Sequence, residues 1–424
     1  MPIHGLKDVI GAAKHITDRK FWAFFGTGLI VSVAYMDPGN WGTSISSGAS
    51  FNYDLLWVVW LSSIMAMLFQ YLSGKMGIAG HTVAGAVRSR WKSKGLVFVY
   101  WLLAEIAILA TDLAEFLGIV VALNLLFGIP MLIGTFLAIA DVLLLLFLAS
   151  KTFRTLEYAF ILFVSVIGIG YVYELFITRP DLGLLAAGSI TPKLTPETVL
   201  FAVGIIGATV MPHALFVHSW LLKNKMEEND RKVDKKTALR YHIVDNVMSL
   251  FIAGLINAAI LIMAAAAFYN SGFQVATIDE AYRTLTPLFG PLASIVFAVA
   301  LLSAGISSSI TGTLAGQSIM ESLTDFKLSP TLRRVITRVI NVIPLLVAIV
   351  LGIEPLQVLV YSQVALSLLI PLPLIPLIYY SSDKKLMGEF ANRKLTTVVA
   401  TLFALIILAF NAYLLYATFL GGTG

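Results

Sequence analysis

The sequence predicts an all-α polytopic membrane protein of eleven transmembrane helices, laid out as a 5+5 inverted repeat with the eleventh helix appended. Three observations predict it: apolar stretches long enough to cross a bilayer, a lopsided distribution of Lys and Arg among the connecting segments, and two glycine–proline interruptions five spans apart. Of the 424 residues, 58% are hydrophobic and 12% are charged, and the mean hydropathy is +0.88. A soluble domain carries about 25% charged residues and is under half apolar, so lipid is the solvent for most of this chain. Cysteine is absent, which excludes disulfides, thiolate metal sites and cysteine nucleophiles. The net charge of +5 does not point to nucleic acid, because the basic residues sit in short segments between apolar runs. Residues 1–20 mix Lys7, Asp8, Lys14, Asp18, Arg19 and Lys20 without the short apolar run of a cleaved signal, so none is expected.

A helix needs about 20 apolar residues to cross the hydrocarbon. Eleven such spans are expected, near 21–48, 54–78, 97–126, 131–149, 155–176, 197–222, 240–268, 286–318, 334–353, 356–380 and 395–419. The positive-inside rule tests this partition. With the N-terminus in the cytoplasm, 26 of the 29 Lys and Arg fall on the inner side, and only Arg179, Lys193 and Arg283 fall outside. A wrong span count would scramble that split. The C-terminus is then expected outside.

The first span is interrupted by Asp37-Pro38-Gly39-Asn40, and the sixth by Gly207 through Met211-Pro212-His213. Proline removes a backbone donor and clashes with the preceding turn, and glycine relaxes the chain. One proline can simply kink a packed helix. Two interruptions in matching positions, both with polar residues, predict unwound backbone at the site of a transported solute. The repeats are then about 21–176 and 197–380, with the extra helix near 395–419, in a single transmembrane domain spanning 1–424.

Asp37 supplies a carboxylate at these breaks, Asn40 an amide oxygen and Met211 a thioether. Carbonyls freed by unwinding, such as those of Ala34 and Ala208, can complete the shell. Oxygen ligands alone accept Ca²⁺ or Mg²⁺ as readily as Mn²⁺. A soft sulfur shifts the preference to transition metals, with Mn²⁺ and Fe²⁺ foremost and Co²⁺, Zn²⁺ and Cd²⁺ within reach. A methionine alone is ordinary apolar packing; beside Pro212 on a broken helix Met211 reads as a ligand.

These residues resemble the natural resistance-associated macrophage protein (NRAMP) family of proton-coupled divalent metal transporters. The match runs along nearly the whole chain. Asp37-Pro38-Gly39-Asn40 and Met211-Pro212-His213 are its most specific pieces. Asp112-Leu113-Ala114-Glu115, Gly312-Thr313-Leu314-Ala315-Gly316-Gln317 and Arg333-Arg334 with Thr337-Arg338 support it. The resemblance implies the LeuT-like form of the inverted repeat and metal binding by Asp37, Asn40 and Met211. It adds the Ala34 and Ala208 carbonyls, and Gln363 in the tenth span for part of the cycle. A Mg²⁺-carrying branch of the family lacks the methionine. Ala214 departs from the asparagine that many members carry after the histidine.

Ionisable residues at membrane depth are costly and usually functional. Asp112 and Glu115 lie three apart and share one helix face. Two carboxylates facing a common interior cannot both carry charge cheaply, which suits a group that takes up and releases protons. His213 sits two residues from Met211, and histidine titrates near neutral pH. Arg338 begins the ninth span and can pair with this acidic chain. The resemblance makes these positions a proton pathway from Asp37 toward the cytoplasm. His218 falls on a different face from His213. Glu105 and Asp141 are expected to be structural, as is an i,i+3 ion pair between Arg154 and Glu157.

The stretch Lys223–Lys236 is expected to be a solvated cytoplasmic loop. No phosphate-binding glycine loop, nucleophile elbow or paired-histidine zinc motif occurs, so neither an ATP-driven pump nor an enzyme is expected. The competing readings are a transporter of the same architecture for Mg²⁺ or for an organic solute such as an amino acid, and a channel or metal sensor. Met211 argues against Mg²⁺, and the Asp37 carboxylate would repel an amino-acid carboxylate. The expected partners are the metal substrate and the lipid bilayer, with no resident cofactor, in a monomer of a prokaryotic plasma membrane.

Overall fold

A computed structural model of the chain describes residues 19–140, 153–228, 233–269, 278–324 and 328–419, and every regular element among them is helical. The first expected span comprises α1 (Arg19–Phe24), α2 (Thr27–Ala34) and α3 (Pro38–Phe51). There follow α4 (Leu56–Ala79), α5 (Val83–Arg90), α6 (Lys94–Phe127), α7 (Met131–Ala138), α8 (Phe153–Thr178) and α9 (Leu182–Ile190). The sixth span is split into α10 (Val199–Thr209) and α11 (Pro212–Glu228). Next come α12 (Lys235–Ala264), which ends in a π-helical turn Ala265–Tyr269, then α13 (Ile278–Phe289), α14 (Pro291–Leu323) and α15 (Pro330–Val350). The chain closes with α16 (Pro355–Leu369), α17 (Pro371–Ser382), α18 (Lys384–Met387) and α19 (Lys394–Phe419).

Eight stretches among the described residues are long and apolar enough to cross a membrane: α4, α6, most of α8, α10 with α11, α12 with its π turn, α14, α16 with α17, and α19. The other three expected spans fall short for different reasons. The first is cut into pieces. The fourth is described only through α7, with 141–149 and Asp141 outside the described residues. The ninth, α15, is 21 residues long but carries Arg333, Arg334 and Arg338.

Local chemistry explains the cuts. Gly26 sits at φ +118°, where a glycine is favoured, and parts α1 from α2. Asp37 is extended at the N-cap of α3, with Pro38 in the first helical position. Val210 leaves the helical region ahead of Pro212. Gly290 at φ +91° and Pro291 likewise separate α13 from α14. The eighth span therefore starts at residue 291 rather than near 286.

In lipid, helix association rests on close packing and polar contacts rather than on apolar burial. Small residues supply that closeness where α6 and α14 lie along one another. A Cβ added to Gly305 of α14 would stand 3.1 Å from the Glu115 carbonyl of α6. The contacts recur at an offset of five spans. The second span packs on the sixth as the seventh packs on the first, and the tenth on the third as the fifth on the eighth. The segments that the charge rule puts on one side also touch each other: Arg90 with Asp383 (3.1 Å) and Lys236 with Glu389 (2.9 Å) on the basic side, Lys193 with Asp54 (2.6 Å) on the other.

Candidate metal site

The two breaks meet inside the protein. Asp37 accepts the main-chain N–H groups of Gly39 and Asn40, each at 3.0 Å, so its carboxylate is fixed by the first turn of the helix it caps. The Asn40 side-chain amide donates to Asp37 Oδ1 and to the Ala208 carbonyl of the other broken helix, both at 2.8 Å. Thr209 donates to Asn40 Oδ1 at 3.4 Å. One amide thus stitches the first break to the second. Its NH₂ edge, rather than the oxygen expected as a ligand, faces Asp37 and Ala208. Asp37, Asn40, Ala34, Ala208 and Met211 are all 0–1% exposed.

Unwinding frees carbonyls, and two are committed elsewhere. Tyr35 O accepts from Asn257 of α12 at 2.7 Å, and Met36 O from the Trp41 indole at 3.3 Å. Ala34 is the last residue of α2, one position before them. Gln363 arrives from α16, and the absence of a side chain at Gly39 is what admits it. A Cβ on Gly39 would collide with the Gln363 amide and lie 2.7 Å from Asp37 Oδ2. Gln363 Oε1 is buried with no hydrogen-bond partner. Among the described residues no three His, Cys, Asp or Glu side chains gather as a metal cage. The donors at the breaks are instead one carboxylate, two amides, main-chain carbonyls and the Met211 thioether, the mixture that suits a borderline transition metal.

The ionisable residues behind the site form a chain along α6. His213 of α11 shares a hydrogen bond with Thr111 at 3.2 Å, one residue from Asp112. Asp112 and Glu115 converge on Gly312 of α14, where an added Cβ would stand 2.8 Å from Asp112 Oδ1 and 3.0 Å from Glu115 Oε2. Both Glu115 oxygens and His213 Nε2 lack hydrogen-bond partners. Two arginines of α15 reach Asp112 on this line. Arg334 is the ion-pair partner of Asp112, at 3.2 Å. Arg338 donates to the Asp112 main-chain carbonyl at 3.2 Å and lies over the Phe116 ring. Glu105, expected to be structural, pairs closely with Arg333 about two helical turns before Asp112 on α6.

A second polar chain escaped the sequence. Gln70 donates to the Tyr35 hydroxyl at 2.8 Å and meets His218 Nδ1 at 2.9 Å, which ties His218 to the first break after all. The signal was a glutamine in the middle of the apolar second span. The expected Arg154–Glu157 pair cannot be followed, because the Arg154 side chain lies outside the described residues. Glu157 pairs with Lys225 of α11 at 3.6 Å.

Comparison with known proteins shows the family and the fold. The family model described as natural resistance-associated macrophage protein-like matches residues 28–417. A relative from Listeria welshimeri, named divalent metal cation transporter MntH, is 43% identical over 410 residues, covering 94% of this chain and 91% of its own. A crystal structure of the Eremococcus coleocola manganese transporter superposes with a TM-score of 0.85 at 34% identity, covering 95% of this chain and 89% of that one. Mhp1, a nucleobase-cation-symport-1 family transporter in a closed conformation, matches with a TM-score of 0.61 at 15% identity, covering 92% of this chain and 88% of that one. That last likeness concerns the fold alone, and it bears out the LeuT-like all-α architecture. With the family model spanning nearly all of it, the chain belongs to the Nramp family of membrane transporters and is not an enzyme.

Proposed function

We propose that the chain carries divalent transition-metal ions, Mn²⁺ and Fe²⁺ foremost, across the membrane together with protons, by alternating access around Asp37, Asn40 and Met211. The observation that carries this is the Asn40 bridge from Asp37 to the Ala208 carbonyl, which brings two unwound helix breaks into one buried point with Met211 three residues on. The names of the relatives, a divalent metal cation transporter and a manganese transporter, point to the same cargo.

The metal is the substrate. Asp37 binds it as a carboxylate, with the Met211 sulfur disfavouring hard ions, the Ala34, Ala208 and Gln363 oxygens filling the shell, and the Asn40 oxygen joining them once that amide turns from its bonds to Asp37 and Ala208. Asp37 gives up its proton to the line His213, Asp112 and Glu115 toward the cytoplasm, where the always-charged arginines of α15 offset the carboxylates but take up no proton themselves. With the N-terminus cytoplasmic and the C-terminus outside, a membrane potential negative inside favours cation entry by about 2.3 kcal/mol per charge per 100 mV. A cavity of about 230 Å³, lined by Ser46, Ser50, Gln357 and Tyr361 among others, lies between α3, α10 and α16 on the side that the charge rule puts outside. The packing that repeats at an offset of five spans supports two inverted repeats, about 21–176 and 197–380, with α19 outside both. We assign the protein to a plasma membrane as a monomer.

The test is Mn²⁺ uptake into proteoliposomes with the internal pH recorded and Ca²⁺ and Mg²⁺ as competitors. Wild type should take up Mn²⁺ and acidify the lumen, Asp37→Ala should be inactive, and Met211→Ala should admit Ca²⁺ or Mg²⁺ as competitors. Uptake without proton movement would make the His213–Asp112–Glu115 line structural. No uptake by folded protein would overturn the reading and favour an organic solute.

A further inference from the structure

Three charged side chains from three helices converge on the break between α1 and α2. Asp245 of α12 accepts the main-chain N–H groups of Gly26 (3.2 Å) and Gly28 (2.8 Å) and the Thr27 hydroxyl (3.1 Å). Ser249 donates to its other oxygen at 3.3 Å. Asp245 therefore caps the N-terminus of α2 from a helix more than two hundred residues away in sequence. Lys225 of α11 donates to the Phe25 carbonyl at 3.2 Å, pairs with Glu157 of α8 at 3.6 Å and lies over the Phe24 ring. The Glu157 carboxylate stands so close to the Gly26 α-carbon that a Cβ there would collide with it. Asp245, Glu157 and Lys225 are 0%, 6% and 7% exposed.

Such a cluster is an expensive way to obtain stability. Apolar residues of similar size hold a packed site as well as a buried ion pair does, and polar groups at depth are best attested where they fix position. What these three fix is α2. It is an eight-residue rod, about 12 Å long, with an interruption at each end: Phe25–Gly26 at one and Tyr35–Asp37 at the other. No helical hydrogen-bond ladder runs through either interruption to hold its tilt, so side contacts set it. Its far end carries Ala34 to the metal site. Tilting the rod away from α8, α11 and α12 would open a way to Asp37 from the α1 side and withdraw the Ala34 carbonyl in the same motion.

We infer that Asp245, Lys225 and Glu157 are positioning residues for transport: they hold α2 closed against α8, α11 and α12, and they release it when the path on that side opens. This rests on the alternating-access reading above. The contacts above join them to residues 24–28, to Ser249 and to one another.

The chain has no cysteine, so a single introduced thiol reports accessibility without background. Ser46→Cys samples the cavity on the α3 side. Ser73→Cys on α4 samples the α1 side, where Ser73 is buried and donates to the Leu215 carbonyl of α11 at 2.6 Å. Full-length protein in proteoliposomes is labelled with a membrane-permeant maleimide. Asp245→Asn and Lys225→Met, and the milder Glu157→Gln should either fail to fold, are each expected to raise the Ser73→Cys to Ser46→Cys labelling ratio by about tenfold or more, as a shift between two states demands. The surface variant Asp54→Asn, which breaks the exposed pair with Lys193, should leave the ratio unchanged. Folded variants with lowered thermal stability but an unchanged ratio would overturn the inference, because that is what a merely structural cluster gives. The two readings fail separately: if Mn²⁺ does not alter labelling at Ser46→Cys in the wild-type background, it is alternating access that fails.

Discussion

Substituting Arg334 by methionine isolates the charge that faces Asp112, because methionine keeps much of the length and apolar stem while removing the guanidinium. The pair is 3.2 Å apart with side chains 1% and 2% exposed. Removing one partner of a pair so deeply buried costs about 3–5 kcal/mol, most of it the stranded charge. Arg338 offers a built-in comparison. It donates to the Asp112 main-chain carbonyl and lies over the Phe116 ring, and a hydrogen bond from a charged donor is worth about 1.5–3 kcal/mol. Unfolding entropy of about 2.1 cal/mol/K per residue gives about 1 °C per kcal/mol for a chain of this length. Thermal unfolding in detergent should therefore show a loss of about 3–6 °C for Arg334→Met and about 2–3 °C for Arg338→Met. Adding Asp112→Asn to Arg334→Met removes the stranded charge and should restore most of the loss, while proton movement in proteoliposomes stays abolished. A loss under about 1 °C for Arg334→Met, or no recovery in the double variant, would refute the assignment of Arg334 as the partner of Asp112.

Two further substitutions test other levels of the structure. An alanine at Gly207 puts its Cβ against the Gln363 carbonyl and 2.8 Å from Ser367 N, so α16 must move off α10. Overpacking of this kind costs about 1–3 kcal/mol. Because Gln363 rides on α16, Mn²⁺ affinity by calorimetry should weaken about tenfold, and an unchanged affinity would remove Gln363 from the site. At the start of α12, Asp234 accepts the N–H groups of Lys236 and Thr237 at 3.0 and 3.1 Å. Hydrogen bonds from Thr237 hold its carboxyl below the ordinary carboxylate value of 3.8. Its contribution is thus present above that value and fades as the pH falls through the depressed one. Asp234→Ala should cost about 1 kcal/mol at neutral pH, with thermal melts converging on wild type in strong acid; a gap that persisted there would point to lost packing instead of a lost cap.

What the sequence made legible is local chemistry, and what it hid is pairing at long range. Asp37-Pro38-Gly39-Asn40 and Met211-Pro212 announce their breaks because proline and glycine act on their own turn. The Gly26 break gave no such notice. A lone glycine in an apolar run is tolerated in a helix, and the carboxylate that caps the helix after it, Asp245, is 219 residues away. Arg334 and Asp112 are separated by 222 residues, and Arg333 and Glu105 by 228, so spacing could mark arginines entering a span but could not assign their partners. Arg338, which begins the ninth span, does reach the acidic chain, at the Asp112 main-chain carbonyl. Glu105 looked structural because Arg333 supplies the charge that makes it part of a line. The eighth span began late for a simpler reason: Gly290-Pro291 is a readable stop, but apolar residues on both sides masked it.

The two charged networks flank the first helix and hold it differently. On one side Asp112 and Glu115 lie along α6, with Arg334 of α15 paired to Asp112, and reach the breaks through His213, and Thr311 of α14, next to Gly312, donates to the Ile30 carbonyl of α2 at 3.2 Å. On the other side Asp245 and Lys225 grip the α1–α2 break through main-chain atoms of residues 25–28, with Glu157 paired to Lys225 behind them. Charges at membrane depth persist only when paired, so each network fixes helices to one another at defined points. A proton arriving on the Asp112 line changes which of its members are paired. The Asp245 cluster is joined to that line through α2 and through α11, which carries both Lys225 and His213. The division has a consequence for coupling: a variant that releases the Asp245 cluster should change which side of the protein is open while leaving proton binding along α6 intact, whereas Arg334→Met should do the reverse. Finding both effects in either variant would mean that α2 or α11 transmits between the two networks rather than separating them.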